Sequence, residues 1–207
     1  MSRVEHPLAP LATGFKILQD LLPETGEELY LTLWNLASYS LAVDNYINSR
    51  PNAFSLRVLI DQRNFVQHRL MSLSPDDNNQ DGYSLQQACW LAGVVYSLIT
   101  VFPIPHSKAP FTRLGQQIRL HLATSAMRWQ KTPELILWIT AMGALATVDE
   151  VERTWYTSVL ERLLHRSQIL SWQSLKDKLQ IFLWFQSTSD SDGQQLWKDI
   201  HASNPFA

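Results

Sequence analysis

Cys89 is the only cysteine in this sequence. One thiol cannot build a disulfide framework, a CxxC redox pair or a cysteine-rich zinc site. It sits in Ala88-Cys89-Trp90-Leu91, an apolar setting where a thiol packs as a small hydrophobe. Glycine is scarce too, with seven in 207 residues. They are scattered singly, so no glycine-rich loop can cradle a phosphate, and the turn signals of a sheet-rich fold are missing. No run of Lys or Arg occurs, and 17 basic residues stand against 19 acidic ones for a net charge of −2. A nucleic-acid binder neutralises phosphates with a basic stripe, so its absence argues against direct DNA binding by this segment. Long hydrophobic runs are also absent. Residues 1–10 lack the apolar stretch of a secretory signal. The longest apolar run, residues 88–102, is broken by Tyr96, Ser97 and Thr100 and falls short of the ~20 residues a bilayer span needs. The expectation is a soluble intracellular chain with a buried core helix.

What is present is apolar mass at helical spacing. Hydrophobic residues make up 45% of the chain and charged residues 17%, the reverse of a disordered composition. Eight Trp, eight Phe and six Tyr need an interior or an interface to absorb them. Residues 13–22 read as a short amphipathic segment stopped by Pro23, and residues 1–24 as a candidate peripheral N-terminal extension. Thr25 and Glu28 have the spacing of a capping box before a helix carrying Leu29, Leu33, Leu36, Tyr39, Leu41, Val43 and Tyr46, which Pro51 ends. A second helix covers residues 54–73. A polar loop at 74–82 follows, then a helix capped by Ser84 that runs to Phe102. Pro103, Pro105 and Pro110 mark a break before a helix at 114–129. Thr132-Pro133 opens the next helix, with a cap residue before a proline at the first helical position. Its Leu135, Trp138, Ile139 and Met142 form one stripe, and Gly143, Ala144 and Ala146 leave room for a close neighbour. Helices at 151–165 and from Ser171 follow, then a polar turn at 187–192 and a short helix at 193–201. The expectation is one all-α domain over residues 1–207, with about eight or nine helices.

Catalytic constellations are not evident. No two of His6, His68, His106, His121, His165 and His201 have the i, i+3 or i, i+4 spacing that puts two ligands on one helix face. No GxSxG elbow occurs. Asp76 and Asp77, in Asp76-Asp77-Asn78-Asn79-Gln80-Asp81, resemble the acidic clusters with which helical enzymes hold magnesium. They lie between Pro75 and Gly82, in a loop, so a solvated turn is the expected reading and a metal site the alternative. No metal, cofactor or catalytic residue is assigned.

Four stretches are similar to one family. Asp61-Gln62-Arg63-Asn64-Phe65-Val66-Gln67-His68-Arg69-Leu70-Met71-Ser72-Leu73 resembles the R-x-x-x-Q-H-R-L-L-S-L helix of fungal-specific transcription factor domains. Cys89-Trp90-Leu91-Ala92 through Tyr96, with Val101-Phe102-Pro103, resembles their next helix and its V-F-P-x-P break. Leu137 through Ala146, followed by Arg153-Thr154-Trp155-Tyr156, is similar to their L-L-W-x-L-F-x-G-G-I-A-A helix. Phe182-Leu183-Trp184 and Asp192-Gly193-Gln194-Gln195-Leu196-Trp197 resemble their F-L-W…D-x-x-G-x-x-L-W ending. The shared order covers residues 54–200. The resemblance implies the non-catalytic regulatory region of a binuclear zinc-cluster regulator, a nuclear protein controlling RNA polymerase II genes. One cysteine cannot hold the two zinc ions of such a cluster, so this chain departs from the family there. It is then either part of a longer zinc-cluster product or a stand-alone relative without a DNA reader.

Action through a protein partner or a small-molecule effector follows from that resemblance, with Arg63, Gln67, His68, Arg69, Trp138 and Trp155 as candidate contacts. The same residues also read as helix bridges and core anchors. A helical metal-dependent enzyme using Asp76 and Asp77, and a plain scaffold forming a homodimer through an apolar helix face, are the alternatives.

Overall fold

Every regular element among the described residues of the computed structural model is helical. Those residues are 11–22, 24–73, 83–101, 108–125, 130–147 and 149–202. A 3-10 turn (Thr13–Lys16) leads into α1 (Ile17–Leu21), followed by α2 (Gly26–Ile47), α3 (Leu56–Ser72) and α4 (Tyr83–Tyr96). A π-helical turn (Ser97–Val101) extends α4. Then come α5 (Lys108–Thr124), α6 (Pro133–Ala146), α7 (Glu150–Arg166), α8 (Trp172–Gln180) and α9 (Gln186–Ala202). The all-α class read from periodicity is what the structure has.

The core centres on α6. Leu135 through Ala144 are buried without interruption, as expected of a helix that is apolar all round. It packs against α4, α5, α7, α8, α9 and the 3-10 turn. Trp138 lies at its middle with no exposed surface. Its ring meets Phe15 edge-on at 4.9 Å and stacks on Phe182 at 6.0 Å. Its indole N–H donates to the Leu183 carbonyl at 2.8 Å. The small residues of α6 do admit a neighbour: a Cβ at Gly143 would collide with the Tyr156 ring of α7. Tyr156 crosses this gap and donates its hydroxyl to the Gly115 carbonyl of α5 at 2.7 Å, tying three helices together.

Several expectations are corrected here. The segment before Glu24 is not peripheral over residues 11–22: Ala12, Phe15 and Leu18 are fully buried. Ala12 and Gly14 donate backbone hydrogen bonds to the carbonyls of Phe182 and Ile181. Three apolar residues at i, i+3 and i+6 over so short a segment are too weak a pattern to reveal that docking. The capping box does not form, because the Thr25 hydroxyl bonds Gln86 Oε1 of α4 at 2.9 Å. Ser84 lies inside α4, which starts at Tyr83. α5 starts at Lys108 and takes Pro110 into its first turn, where a missing N–H costs no helical bond. The polar turn at 187–192 is instead part of α9. There Asp190 pairs with the buried Lys176 at 2.6 Å and accepts from the Trp184 indole at 3.0 Å. Tyr83–Val101 is long and apolar enough to cross a membrane by composition, yet 67% of it is buried within this fold, as a core helix is. The loop at 74–82, with Asp76 and Asp77, lies outside the described residues.

Candidate functional site

The α2–α3 hairpin differs from the rest of the molecule in what it leaves uncovered. Leu29, Leu33 and Leu36 of α2 and Leu59, Val66 and Leu70 of α3 face the core. The same two helices nevertheless expose Leu31 (43%), Trp34 (48%), Ile60 (41%), Phe65 (56%) and Met71 (41%). The last residue of α2, Ile47, and Phe54 in the connection are exposed as well. Scattered exposed hydrophobics are ordinary on a surface, whereas a contiguous set marks a contact region. The hairpin's register sets Leu31 and Phe65 at one level. Glu28 of α2 meets Arg69 of α3 at 3.7 Å. Leu31 and Phe65 each lie about one turn from that pair, in the direction that keeps antiparallel helices level.

Four candidate contacts named from sequence lie on α3, and the structure gives them different surroundings. Gln67 Oε1 accepts from the buried Ser97 hydroxyl of the π-helical turn at 2.5 Å. Arg63 is half-buried beside Tyr39 of α2; burial raises the Tyr39 phenol's pKa and the Arg63 charge opposes that rise. Arg69 bridges to Glu28, and His68 is exposed. Arg63, Gln67 and Arg69 thus join α3 to its neighbours, the bridging role also read from the sequence. The indole of Trp90 adds another tie, donating to the Leu70 carbonyl at 2.7 Å.

The two candidate tryptophans lie elsewhere. Trp138 is enclosed at the centre of the core, so it presents no surface to an effector or partner, and this assignment is corrected. Trp155 is half-buried on α7, where the Arg119 guanidinium sits 5.1 Å over its ring and pairs with Glu152 at 2.9 Å. Both are therefore separate from the α3 set. Among the described residues, no three His, Cys, Asp or Glu side chains are grouped to hold a metal ion.

Leu31, Trp34 and Phe65 were missed as candidates. Their signal was readable: α2 has apolar residues on the face opposite Leu29, Leu33 and Leu36, more than one buried face requires. Comparison with protein-family models, curated proteins and solved structures found no match.

Proposed function

We propose that this chain is a non-catalytic transcription-regulatory module of the fungal zinc-cluster regulator type, acting in the nucleus through a protein partner on its α2–α3 hairpin. The observation that carries the contact surface is the exposure of Leu31, Trp34 and Phe65 on these two paired helices, while Trp138, Trp184, Phe15 and Phe182 are enclosed. Interface centres are enriched in aromatic and apolar anchors and poor in charge. An open helical face suits a protein better than a small molecule, whose sites are concave and enclose most of the ligand. The regulatory assignment is supported by the four family-like stretches, which keep their order along α3, α4, α6 with α7, and the chain from Phe182 into α9. Sequence-specific DNA contact then belongs to another module, consistent with the absence of a basic run here.

A tethering experiment tests this reading. The chain is fused to an unrelated DNA-binding domain and expressed in a fungal nucleus with a reporter gene under that domain's site. The fusion is expected to change reporter transcription severalfold relative to the DNA-binding domain alone. Identical transcription from a fusion present at equal abundance contradicts the proposal.

A further inference from the structure

The outward face of α2 has a regular pattern. Leu31, Trp34, Ser38, Leu41 and Asn45 recur in alternating steps of three and four residues, the seam spacing by which one helix packs along another. Leu31 and Trp34 are exposed, and Ser38, Leu41 and Asn45 are half-buried. The seam runs about 21 Å at the usual helical rise. Its ends differ in charge. Glu24, Glu27 and Glu28 are exposed at the N-terminal end, where Arg69 offsets one of them. Arg50 and Arg57 are exposed at the other end. Arg50 lies 3.0 Å from Asp44 but keeps 44% of its side chain open, and a guanidinium has donors for more than one carboxylate.

A surface with an apolar middle, an acidic end and a basic end is complementary to itself when turned through a two-fold axis. An isologous interface requires that property. We propose that a second copy of this chain occupies this face, its α2 antiparallel to the first about an axis near Ser38. Trp34 then packs against Leu41 of the second copy, and Glu27 lies opposite the second copy's Arg50. Ser38, small and central, lets the helices approach. The chain's net charge of −2 offers little repulsion between copies. This inference rests on the reading of the α2–α3 hairpin as an interaction surface and names its occupant.

Sedimentation of the full chain from about 1 to 100 µM, the range in which modest interfaces dissociate, provides the test. A monomer–dimer equilibrium is expected. Trp34→Asp and Leu41→Asp should each weaken it at least about tenfold, as loss of a central anchor does, with unchanged circular dichroism. Glu27→Arg and Arg50→Glu should each weaken the dimer, and the two together should recover it, which loss of folding would not do. A wild type that stays monomeric to the highest concentration overturns the proposal. So does a dimer indifferent to both Trp34→Asp and Leu41→Asp, or a charge-reversed pair that fails to recover. A monomeric chain that still drives the tethered reporter removes the second copy and leaves the regulatory reading standing.

Discussion

Trp34 and Trp138 have the same side chain in opposite surroundings, and substitution should separate them. Trp138 has no exposed surface, two aromatic neighbours and a hydrogen bond to Leu183. Trp138→Ala should cost about 3–5 kcal/mol; Trp34→Ala should stay within about 0.5 kcal/mol of wild type, as surface changes do. Urea unfolding of both variants measures the contrast. Gly143 makes a related point. Tyr156 is held across it by the bond to Gly115, so the ring cannot retreat from a new methyl group. Gly143→Ala should therefore destabilise by about 1–3 kcal/mol, the usual range for overpacking. A destabilisation of less than a few tenths of a kcal/mol would mean the Tyr156 ring yields. Trp138 is legible as a core residue in its sequence stripe with Leu135 and Met142. The partner of Thr25 is not: the nearby Glu28 fits a capping box, but the hydroxyl goes to Gln86, 61 positions away.

At the scale of elements, local signals hold at the ends that Ser171 and Asp149 cap, whereas the Thr132 side chain makes no cap bond to α6. Ser171 accepts from the Ser174 N–H and starts α8 where its residue type says it should. Asp149 does the same for α7, accepting from Val151 and Glu152. Long-range partners account for the misread ends. Ser187 through Asp192 looks like a turn by composition, yet it is helical, with Asp190 tied to Lys176 and Trp184. Two helix ends close on a residue of positive φ. α2 closes at Ser49, before Pro51, and α7 closes at Gln168; both residues have positive φ, 50° and 53°. In each case the next residue reaches back five positions: Arg50 N–H to the Asn45 carbonyl, and Ile169 N–H to the Leu164 carbonyl. Such ends favour glycine, which has no Cβ to strain. Gln168→Gly, at an exposed position, should therefore raise stability by about 0.5–1 kcal/mol. A loss of stability in the same urea titration would contradict that account of the α7 terminus.

For the whole molecule, burial of ionisable groups sets the response to alkali. Burial raises the pKa of the Cys89 thiol and of the Tyr96 phenol, where hydrogen bonding with Ser40 and Thr100 only partly opposes it. The Tyr156 phenol is raised by burial first and then by Glu152. In the unfolded chain these groups ionise near pH 8.5 for the thiol and about 10 for the phenols. Above those values the unfolded chain has released protons that the folded chain keeps, so stability falls as pH rises. The loss should approach about 1.4 kcal/mol per pH unit for each group. Urea midpoints measured from pH 7 to 11 should be level at first and then decline. A midpoint that stays level to pH 11 would show that these groups ionise without unfolding.

The division between an enclosed core and an open hairpin is the central claim, and one comparison tests it most directly. The Trp34→Asp, Phe65→Asp double variant is placed in the tethered reporter assay beside wild type, and the melting temperature of each purified chain is measured. The account predicts loss of the reporter response with the melting temperature nearly unchanged, because both side chains stand outside the core. A full response from the double variant, or a lost response accompanied by collapse of the fold, would contradict it.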